Sequence, residues 1–348
     1  MAKEIKIGNK KIGDGHPWFI IAEAGSNYNK RFDLAKKLID IAAEAGADAV
    51  KFQLFRAKKT YVLNAGQSDY LRKSAPIYEI IKSMEMPYSW LPKLARYCQK
   101  RGIIFLSAVN DEKSARKLDP YVVAYKIGSF ELNHYPLISY VASLKKPMIL
   151  STGISTIEEI KYTINNLRRK KNNKICLMHC ISAYPAPIDS LNLRVIPKLK
   201  SVFKVPVGFS DHTPDPLLAP LGAISLGANL IEKHFTLSKK MTGPDHRFAL
   251  EPEELETMIK TIRELESALG DGRKKVEAAE KELFYFAKRG IQTIKNIKKG
   301  ERFSKENIGI LRPGKQVRGV SPKYWSIILG RKSKCNLKKG QGVPKRCF

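Results

Sequence analysis

Eight short apolar runs recur through the first 235 residues, and their spacing constrains the fold more than any other feature of the chain. None is longer than seven residues, and most lack strict alternation of apolar and polar positions. Such runs are typical of strands that are buried on both faces of a parallel sheet. In chain order they are "FIIAEAG" (19–25), "AVKFQ" (49–53), "IIFLSA" (103–108), "AYKIGS" (124–129), "PMILST" (147–152), "ICLMHC" (175–180), "VPVGFSD" (205–211) and "LIEKHF" (230–235).

Helical patterns separate these runs. The stretch 31–46 has apolar residues at helical spacing and ends on Gly46, and the stretch 155–170 begins with the capping pattern Ser155-x-x-Glu158. Eight strand–helix units over roughly 250 residues predict an α/β fold of the (β/α)₈, or TIM, barrel type. A doubly wound open sheet is the alternative, but no GxGxxG pattern follows the first run to support a dinucleotide fold.

The rest of the chain predicts a second, smaller unit. We assign 1–270 to a catalytic barrel, 271–290 to a helical linker and 291–348 to a compact β-rich domain. A unit of about 60 residues is marginally stable alone and gains stability by docking. The final stretch "LKKGQGVPKRCF" has no core pattern, and we expect it to be mobile.

The formal net charge is +30, from 63 basic and 33 acidic residues, and +16 of it lies in 271–348. Basic residues are not interleaved with stacking aromatics, so the charge indicates a solvated surface that attracts small anions and argues against nucleic-acid binding. No apolar run approaches the roughly 20 residues that cross a bilayer, and the N-terminus has no signal-peptide pattern. The five cysteines are scattered, so we expect reduced thiols in a cytoplasmic protein with no membrane partner.

Polar residues collect at the ends of the predicted strands, where the active site of such a barrel lies. A lysine buried in a strand is costly unless an anion or carboxylate pairs with it. Two such lysines, with serines at neighbouring ends, indicate a phosphate or carboxylate site. The polar residues at these ends are Glu23, Lys51, Gln53, Ser107, Lys126, Ser129, Glu131, Ser151, Thr152, Ser182, Tyr184, Ser210, Asp211, His212, Glu232 and His234.

His212 and His234 end the adjacent seventh and eighth strands, where their rings can converge. Two histidine ligands leave several positions of an octahedral Mn²⁺ or Mg²⁺ open for substrate and water. Zn²⁺ usually takes a third protein ligand. Packing of both rings in the core is the alternative, and the spacing alone leaves both open.

Several longer motifs point to a known family. They are "FIIAEAGSNYNK", "GADAVKFQ", "AYKIGSFELNHYPLI", "ILSTG", "HCISAYPAP", "GFSDHT" and "IEKHFTLSKKMTGPDHRFALEP". Together they resemble the sialic acid synthase family, and "RGIQTIKNIKKGERFSKENIGILRPG" resembles its C-terminal antifreeze-like (SAF) domain. Enzymes of that family join phosphoenolpyruvate to an N-acetyl hexose such as N-acetylmannosamine, giving a nine-carbon 2-keto acid and phosphate. The resemblance covers nearly the whole chain.

The resemblance implies a role for each matching residue. His212 and His234 would bind a divalent metal, with Mn²⁺ expected first and Mg²⁺ or Co²⁺ as alternatives. Glu131 would be the acid/base, and Glu23 is the second catalytic candidate, either contacting the sugar or orienting a neighbouring group. The C-terminal domain would reach across a domain-swapped homodimer to complete the partner's site. The substrate-binding residues would be Lys51, Gln53, Ser107, Lys126, Ser129, Ser151, Ser182, Tyr184, Ser210, Asp245 and, from the C-terminal domain, Arg312.

Two departures from the family pattern affect the phosphate contacts. The third run ends in "SAVN" where the family commonly has "STPF", so Ala108 stands where a threonine contacts phosphate. Ser182 stands where some members carry Asn. In addition, the segment 54–87 is long for a strand-to-helix connection, which indicates a functional loop.

The acceptor sugar stays open at this level. N-acetylmannosamine, a 6-deoxy-2,4-diacetamido hexose of the legionaminic or pseudaminic acid type and a mannose-6-phosphate-type sugar all fit the motifs. A metal-dependent class II aldolase or sugar isomerase on the same barrel is the enzymatic alternative. An anion- or nucleic-acid-binding protein that uses the positive charge is the non-enzymatic one.

Overall fold

A computed structural model of the chain describes residues 4–68 and 75–348. Eight parallel strands close into a barrel, because the last strand pairs with the first. The predicted (β/α)₈ architecture is therefore confirmed, and each predicted run overlaps one barrel strand. The barrel strands are β3 (Phe19–Gly25), β4 (Ala49–Leu54), β5 (Ile104–Val109), β6 (Tyr125–Ile127), β7 (Met148–Ser151), β8 (Ile175–Cys180), β9 (Val207–Asp211) and β10 (Leu230–His234).

Helices follow the strands and bury one face against them. In the helix Ile157–Arg169 the capping box is formed by Thr156 and Glu159. This is one residue later than the Ser155–Glu158 pattern predicted, because Ser155 belongs to the turn before the helix. Residues 69–74 of the long connection predicted over 54–87 lie outside the described residues. The helices of the barrel unit are α1 (Phe32–Glu44), α2 (Ala57–Thr60), α3 (Ile77–Ser83), α4 (Leu91–Lys100), α5 (Glu112–Leu118), α6 (Tyr135–Ser143), α7 (Ile157–Arg169), α8 (Val195–Phe203), α9 (Leu218–Ser225) and α10 (Pro252–Leu269).

A hairpin that the sequence interpretation missed precedes the barrel. Its strands β1 (Ile5–Ile7) and β2 (Lys10–Ile12) pair antiparallel. Ile5, Ile7 and Ile12 are buried in one cluster with the inward-facing apolar residues at the starts of the barrel strands, such as Leu106 and Ile149. The hairpin therefore completes the core at the amino end of the barrel.

Side chains alternate between the inside and the outside of the barrel along each strand. In β4, Val50 and Phe52 pack outward in the core cluster shared with the helices, whereas Ala49 belongs to the inner cluster and Lys51 and Gln53 line the cavity above it. Among the inward-facing residues, those near the amino ends of the strands are apolar and those near the carboxyl ends are polar. The barrel interior therefore has an apolar lower part and a polar upper part. The polar part lies at the carboxyl ends of the strands.

The chain divides into two compact units, Met1–Leu269 and Gly270–Phe348. In the second unit, β11 (Gly290–Thr293) and β12 (Ile308–Leu311) pair antiparallel. The unit also contains α11 (Lys281–Phe286) and α12 (Trp325–Ile328). It has its own core, formed by Ile291, Ile297, Phe303, Ile308, Ile328, Leu337, Val343 and Cys347.

Three expectations for this unit are corrected by the structure. The predicted helical linker 271–290 is α-helical only over Lys281–Phe286, since glycines and basic residues occupy its start. The C-terminal stretch predicted to be mobile packs into the core, because Val343 and Cys347 are buried. This folding back brings Cys347 to Cys335, and the two form a disulfide, where we expected reduced thiols. Cys98, Cys176 and Cys180 are free thiols, as expected. Within the described residues, no helix is long and apolar enough to cross a membrane.

Candidate active site

A cavity of about 690 Å³ opens at the carboxyl ends of the barrel strands. Its wall combines inward-facing strand residues with residues of the connections that follow them. Of the predicted site residues, the cavity is lined by Glu23, Lys51, Gln53, Lys126, Ser129, Glu131, Ser151, Tyr184, Ser210, His212, His234 and Asp245.

Two lysines and two glutamates form a buried charge network at the base of the cavity. Lys51 Nζ lies 2.9 Å from Glu23 Oε2 and 3.6 Å from Glu232 Oε2. Lys126 Nζ donates to Glu232 Oε1 at 3.1 Å, and Ser210 Oγ donates to the same oxygen at 2.9 Å. All four charged side chains are almost fully buried, so each needs its partners to offset the loss of hydration.

The two glutamates of this network differ in their acidity. Burial alone would raise the pKa of Glu232, but Lys126 and Lys51 outweigh burial and lower this pKa to about 2. Burial raises the pKa of Glu23 to about 7, because Lys51 is its main cationic neighbour and is shared with Glu232. At neutral pH Glu232 is therefore a permanent anion, whereas Glu23 can exchange a proton.

Buried serine hydroxyls and a bare glycine, Gly153, lie at the ends of the strands β6 to β8. The hydroxyls of Ser151 and Ser182 are buried and have no hydrogen-bond partner among the described residues. Ser129 Oγ accepts from the Gly153 amide at 3.1 Å. A β-carbon at Gly153 would lie 2.9 Å from both Ser129 Oγ and Cys180 Sγ, and closer still to Ser182 Oγ. The unpartnered Ser151 and Ser182 hydroxyls are donors that suit the oxygens of a phosphate or carboxylate.

His212 and His234 face each other across the cavity, with ring centroids 5.6 Å apart. His212 Nδ1 donates to the Ile181 carbonyl at 2.6 Å, which leaves Nε2 with a free lone pair. His234 Nδ1 is buried without a hydrogen-bond partner in the described part of the chain, and Asp245 Oδ2 lies 3.7 Å away. Burial lowers the pKa of both histidines, to about 4 for His212, so both rings are neutral.

These features fit a divalent ion, because neutral imidazoles with an available nitrogen are the form that binds metals. No group of three or more His, Cys, Asp or Glu side chains in 4–68 and 75–348 is arranged to hold a metal. A metal bound here would therefore rest on the two histidines and leave other positions for substrate and water.

Aromatic and acidic side chains complete the wall beside the histidines. The Tyr184 ring lies 4.3 Å from that of His212, centroid to centroid, and Phe248 lies 5.2 Å from His234. Asp245 is enclosed, and burial raises its pKa to about 6. Gln53 Nε2 donates to Glu23 Oε1 at 3.0 Å, so Gln53 and Glu23 act as one polar unit.

Glu131 stands apart from the charge network, on a short 3₁₀ turn after β6. Asn110 Nδ2 donates to Glu131 Oε1 at 2.5 Å. Burial raises the pKa of Glu131 to about 7 against the opposing effect of Lys126. Lys126 forms its ion pair with Glu232, and none of the ion pairs between described residues joins Lys126 to Glu131. A carboxyl group with this pKa can give and take protons near neutrality.

Ser107 does not line the cavity, and the expectation for this residue is corrected. Ser107 pairs in register with the outward-facing Phe52, and its hydroxyl donates to the Ala108 carbonyl. The alternation of β5 therefore turns Ala108 inward and Ser107 outward. Two predicted residues remain. Ser182 is also absent from the described lining, although its hydroxyl lies beside Gly153 together with Ser129 Oγ. Arg312 belongs to the C-terminal unit, where it is exposed immediately after β12.

No function was assigned from the sequence to two residues of the site, Glu232 and Asn110. Glu232 was recognised as a strand-end residue, and its inward position two residues before His234 is the signal that could have linked it to the lysines. Asn110 gave no signal, because its contact with Glu131 joins residues 21 positions apart that follow two neighbouring strands.

One wall of the cavity is apolar. It is formed by side chains of the connection between β4 and α4, namely Phe55, Ile77, Ile81 and Met84. Arg56 anchors this connection, since it donates to the Met86 carbonyl at 2.9 Å and its guanidinium lies 3.9 Å from the Tyr88 ring centroid. The wall is therefore held in place at its base.

The fold and the cavity together define a class of protein, a (β/α)₈ barrel whose cavity holds two buried lysines next to two neutral histidines. Comparison with known proteins is more specific. The chain belongs to the NeuB family, whose pattern matches residues 38–274, and a SAF domain matches residues 288–348. The resemblance that the motifs indicated is confirmed.

The relatives include biosynthetic proteins of bacteria. The chain is 44% identical over 339 residues to the spore coat polysaccharide biosynthesis protein SpsE of Bacillus subtilis, covering 93% of this chain and 91% of that one. It is 39% identical to N,N'-diacetyllegionaminic acid synthase of Campylobacter jejuni, covering 92% and 97%. The crystal structure of N-acetylneuraminic acid (sialic acid) synthetase from Leptospira borgpetersenii superposes with a TM-score of 0.74 at 32% identity, covering 82% and 96%.

Proposed function

We propose that the protein is a synthase that condenses phosphoenolpyruvate with an N-acetylated hexosamine and water. The products are a nine-carbon 2-keto sugar acid of the N-acetylneuraminate type and phosphate, and N-acetylmannosamine is the first acceptor to test. The observation that carries the proposal is one cavity that is lined by the unpartnered Ser151 hydroxyl, two buried lysines and the neutral histidine pair.

Phosphoenolpyruvate has two anionic ends, and the cavity offers donors for both. Lys51 and Lys126 supply positive charge, and Ser151 supplies a hydroxyl. Ser129 and Ser182 supply two further hydroxyls beside the bare Gly153. Glu232 keeps the two lysines apart and oriented when the site is free. These groups contribute by positioning the substrate, because holding two reactants in line replaces a bimolecular encounter.

His212 and His234 would hold a divalent metal, with Mn²⁺ tested first and Mg²⁺ or Co²⁺ next. When bound, the metal would supply Lewis-acid polarisation of the sugar aldehyde. Glu23, Gln53, Tyr184 and Asp245 line the space beside the histidines and would contact the sugar. Arg312 would be supplied to this cavity by a C-terminal unit. In a homodimer, that unit would belong to the partner chain.

Bond formation joins C3 of phosphoenolpyruvate to the aldehyde carbon, and the aldehyde oxygen takes up a proton. Water then adds at C2 and loses a proton, and the C–O bond to phosphate breaks. Glu131 would move protons in these steps, since its pKa of about 7 suits both uptake and release at neutral pH.

A second acceptor is favoured by the apolar wall. A 6-deoxy-2,4-diacetamido hexose carries a methyl group and a second acetyl group, and Phe55, Ile77, Ile81 and Met84 offer an apolar surface for such substituents. A relative with 39% identity is named for the legionaminic acid derivative. The product would then be a legionaminate- or pseudaminate-type acid.

The proposal is tested by phosphate release from phosphoenolpyruvate with Mn²⁺ and a panel of sugars. The panel contains N-acetylmannosamine, 2,4-diacetamido-2,4,6-trideoxyhexoses and mannose 6-phosphate. Release that depends on both substrates, with a nine-carbon keto acid detected by mass spectrometry, supports the proposal, and the preferred sugar decides between the acceptors. Cleavage or isomerisation of sugars without phosphate release would instead indicate an aldolase or isomerase. Salt-sensitive DNA binding with no turnover would indicate a binding protein.

A further inference from the structure

The carboxylate of Glu131 is held from two sides. Asn110 Nδ2 donates to Oε1 at 2.5 Å. On the other side a β-carbon at residue 128 would lie 2.6 Å from Oε2, so the bare Gly128 leaves room for that oxygen. The Glu131 amide also donates to the Gly128 carbonyl at 3.2 Å, which closes the turn that carries the glutamate. One oxygen is therefore bonded to a side chain, and the other lies over a glycine.

The backbone on both sides of Asn110 is fixed. The preceding Ala108 pairs in register with Gln53 on one neighbouring strand and with Lys126 on the other. The following Asp111 caps α5, because its carboxylate accepts from the Ser114 amide at 2.9 Å. Asn110 thus stands on rigid backbone between the end of a strand and the start of a helix, which suits a residue that orients another.

We propose that Asn110 is a positioning residue for Glu131 in the proposed synthase reaction. Its amide holds one carboxylate oxygen so that the other meets the reacting atoms in a fixed direction. The inference rests on the proposed function, because that function gives Glu131 its role. The hydrogen bond from Asn110 to Glu131 is observed independently of it. The motif position concerned is the last of "SAVN", where the resembled family commonly has Phe, which has no amide to donate.

The amide donor also affects the acidity of Glu131, because a hydrogen bond to a carboxylate favours the charged form. Burial raises this pKa, while Lys126, Asn110 and Lys51 lower it. Tyr61 lies close enough for Glu131 to raise the Tyr61 pKa, and Lys59 and His134 line the same cavity. Loss of the Asn110 donor should move the Glu131 pKa upward, and the limb of the pH profile that reports Glu131 should move to higher pH.

The experiment compares Asn110→Leu and Asn110→Asp with the unchanged protein. Leucine has a similar shape without a donor, and aspartate adds a second negative charge. The matched control is Asn173→Asp, an exposed residue before β8 at the other end of the barrel. For each variant, kcat and KM for both substrates are measured from pH 5 to 9. The pKa of Glu131 is followed separately by carboxyl-carbon NMR of glutamate-labelled protein, with the signal assigned by its loss in Glu131→Gln.

In Asn110→Leu we expect kcat to fall about 10- to 100-fold, because a small misplacement of a catalytic group lowers the rate by that order. We expect KM to change by less than about threefold. The Glu131 pKa should rise by about one unit, the order of one hydrogen bond to a charged group, and Asn110→Asp should raise it further. A raised KM for the sugar with normal kcat would overturn the proposal and make Asn110 a substrate contact. An unchanged Glu131 pKa in both variants would also overturn it. If the unchanged protein releases no phosphate, the proposed function fails, and the NMR titration still decides whether Asn110 positions Glu131.

Discussion

At the scale of single residues, the site is a set of groups whose ordinary acidity is shifted by burial. The pKa values of Glu131 and Glu23 are raised to about 7 and that of Glu232 is lowered to about 2 in one cavity. The difference follows from the cations: Glu232 contacts two lysines, whereas Glu131 receives an amide hydrogen bond. When the pKa values of two carboxyl groups in one site are this far apart, one group stays charged and the other can carry a proton. Here Glu232 is the charged group, and Glu131 can carry the proton.

The replacement Glu131→Gln should remove proton exchange and keep the shape of the site. We expect kcat for phosphate release to fall roughly 10²- to 10⁴-fold, the usual contribution of an acid/base group, while phosphoenolpyruvate still binds in calorimetry. Glu158→Gln, an exposed change on α7, is the control. Near-normal kcat would remove Glu131 from the mechanism.

The same replacement should stabilise the fold at high pH. As pH rises above 4.5, the unfolded Glu131 ionises first, and stability falls until the folded group also ionises near pH 7. Above that pH the full penalty, on the order of 3 kcal/mol for a shift of this size, is present, and the neutral amide of the Glu131→Gln variant avoids it. Urea unfolding should therefore show a more stable variant at pH 8 and a smaller difference at pH 4. A variant that is less stable than the unchanged protein at pH 8 would contradict the raised pKa.

The replacements His212→Ala and His234→Ala should each weaken Mn²⁺ binding by more than about 10-fold, because each removes one of two proposed ligands. Binding is measured as free Mn²⁺ by electron paramagnetic resonance, and removal of the metal by a chelator should stop turnover. His16→Ala is the control, since His16 pairs with Glu4 near the N-terminal hairpin. Unchanged Mn²⁺ affinity in both variants would show that these histidines are not the ligands.

At the scale of elements, each barrel strand divides its residues between two environments. In β5, for example, Ala108 faces the cavity, whereas the neighbouring Ser107 faces the outside of the barrel. The connection between β4 and α4 supplies an apolar wall, which Arg56 anchors. The N-terminal hairpin supplies the apolar core at the amino end, so the catalytic end and the stabilising end of the barrel use different elements.

The hairpin makes a direct prediction about stability. Ile7 is fully buried in the lower core, and Ile7→Ala should destabilise the protein by about 2–5 kcal/mol, the range for buried large-to-small changes. Lys6→Ala, on the exposed side of the same strand, should change stability by less than about 0.5 kcal/mol. Denaturant midpoints measure both. Equal midpoints for the two variants would mean that the hairpin does not contribute to the core.

At the scale of the whole molecule, two units with separate cores make up the chain. The C-terminal unit closes its fold with the tail, which the disulfide between Cys335 and Cys347 ties to the core. Arg312 is exposed on this unit, and the resemblance implies that it serves the barrel of a partner chain.

Coexpression of two inactive variants tests that exchange. Glu131→Gln has a faulty barrel and a sound C-terminal unit, and Arg312→Ala has the reverse. If the unit crosses to the partner, one site of a mixed dimer collects both defects and the other collects none. About half of the dimers are mixed at equal expression, so roughly a quarter of normal activity should return, as random pairing in a symmetric dimer predicts. No recovery, with mixed dimers isolated by two different tags, would exclude the exchange.

The sequence by itself determined the barrel and most of the cavity wall. Apolar runs and helical periods are local patterns, and the carboxyl ends of parallel strands always meet, so Lys51, Lys126, His212 and His234 could be brought together from the order of the strands alone. The family motifs reinforced the same positions.

Only the tertiary structure decided which way each strand faces and what each side chain contacts. The direction of Ser107, the pairing of Glu232 with both lysines and the bond from Asn110 to Glu131 depend on register between strands that are distant in the sequence. The hairpin and the C-terminal tail were missed for the same reason. Their few apolar residues gain burial only when they meet a core built by other parts of the chain, and no local pattern records that contact.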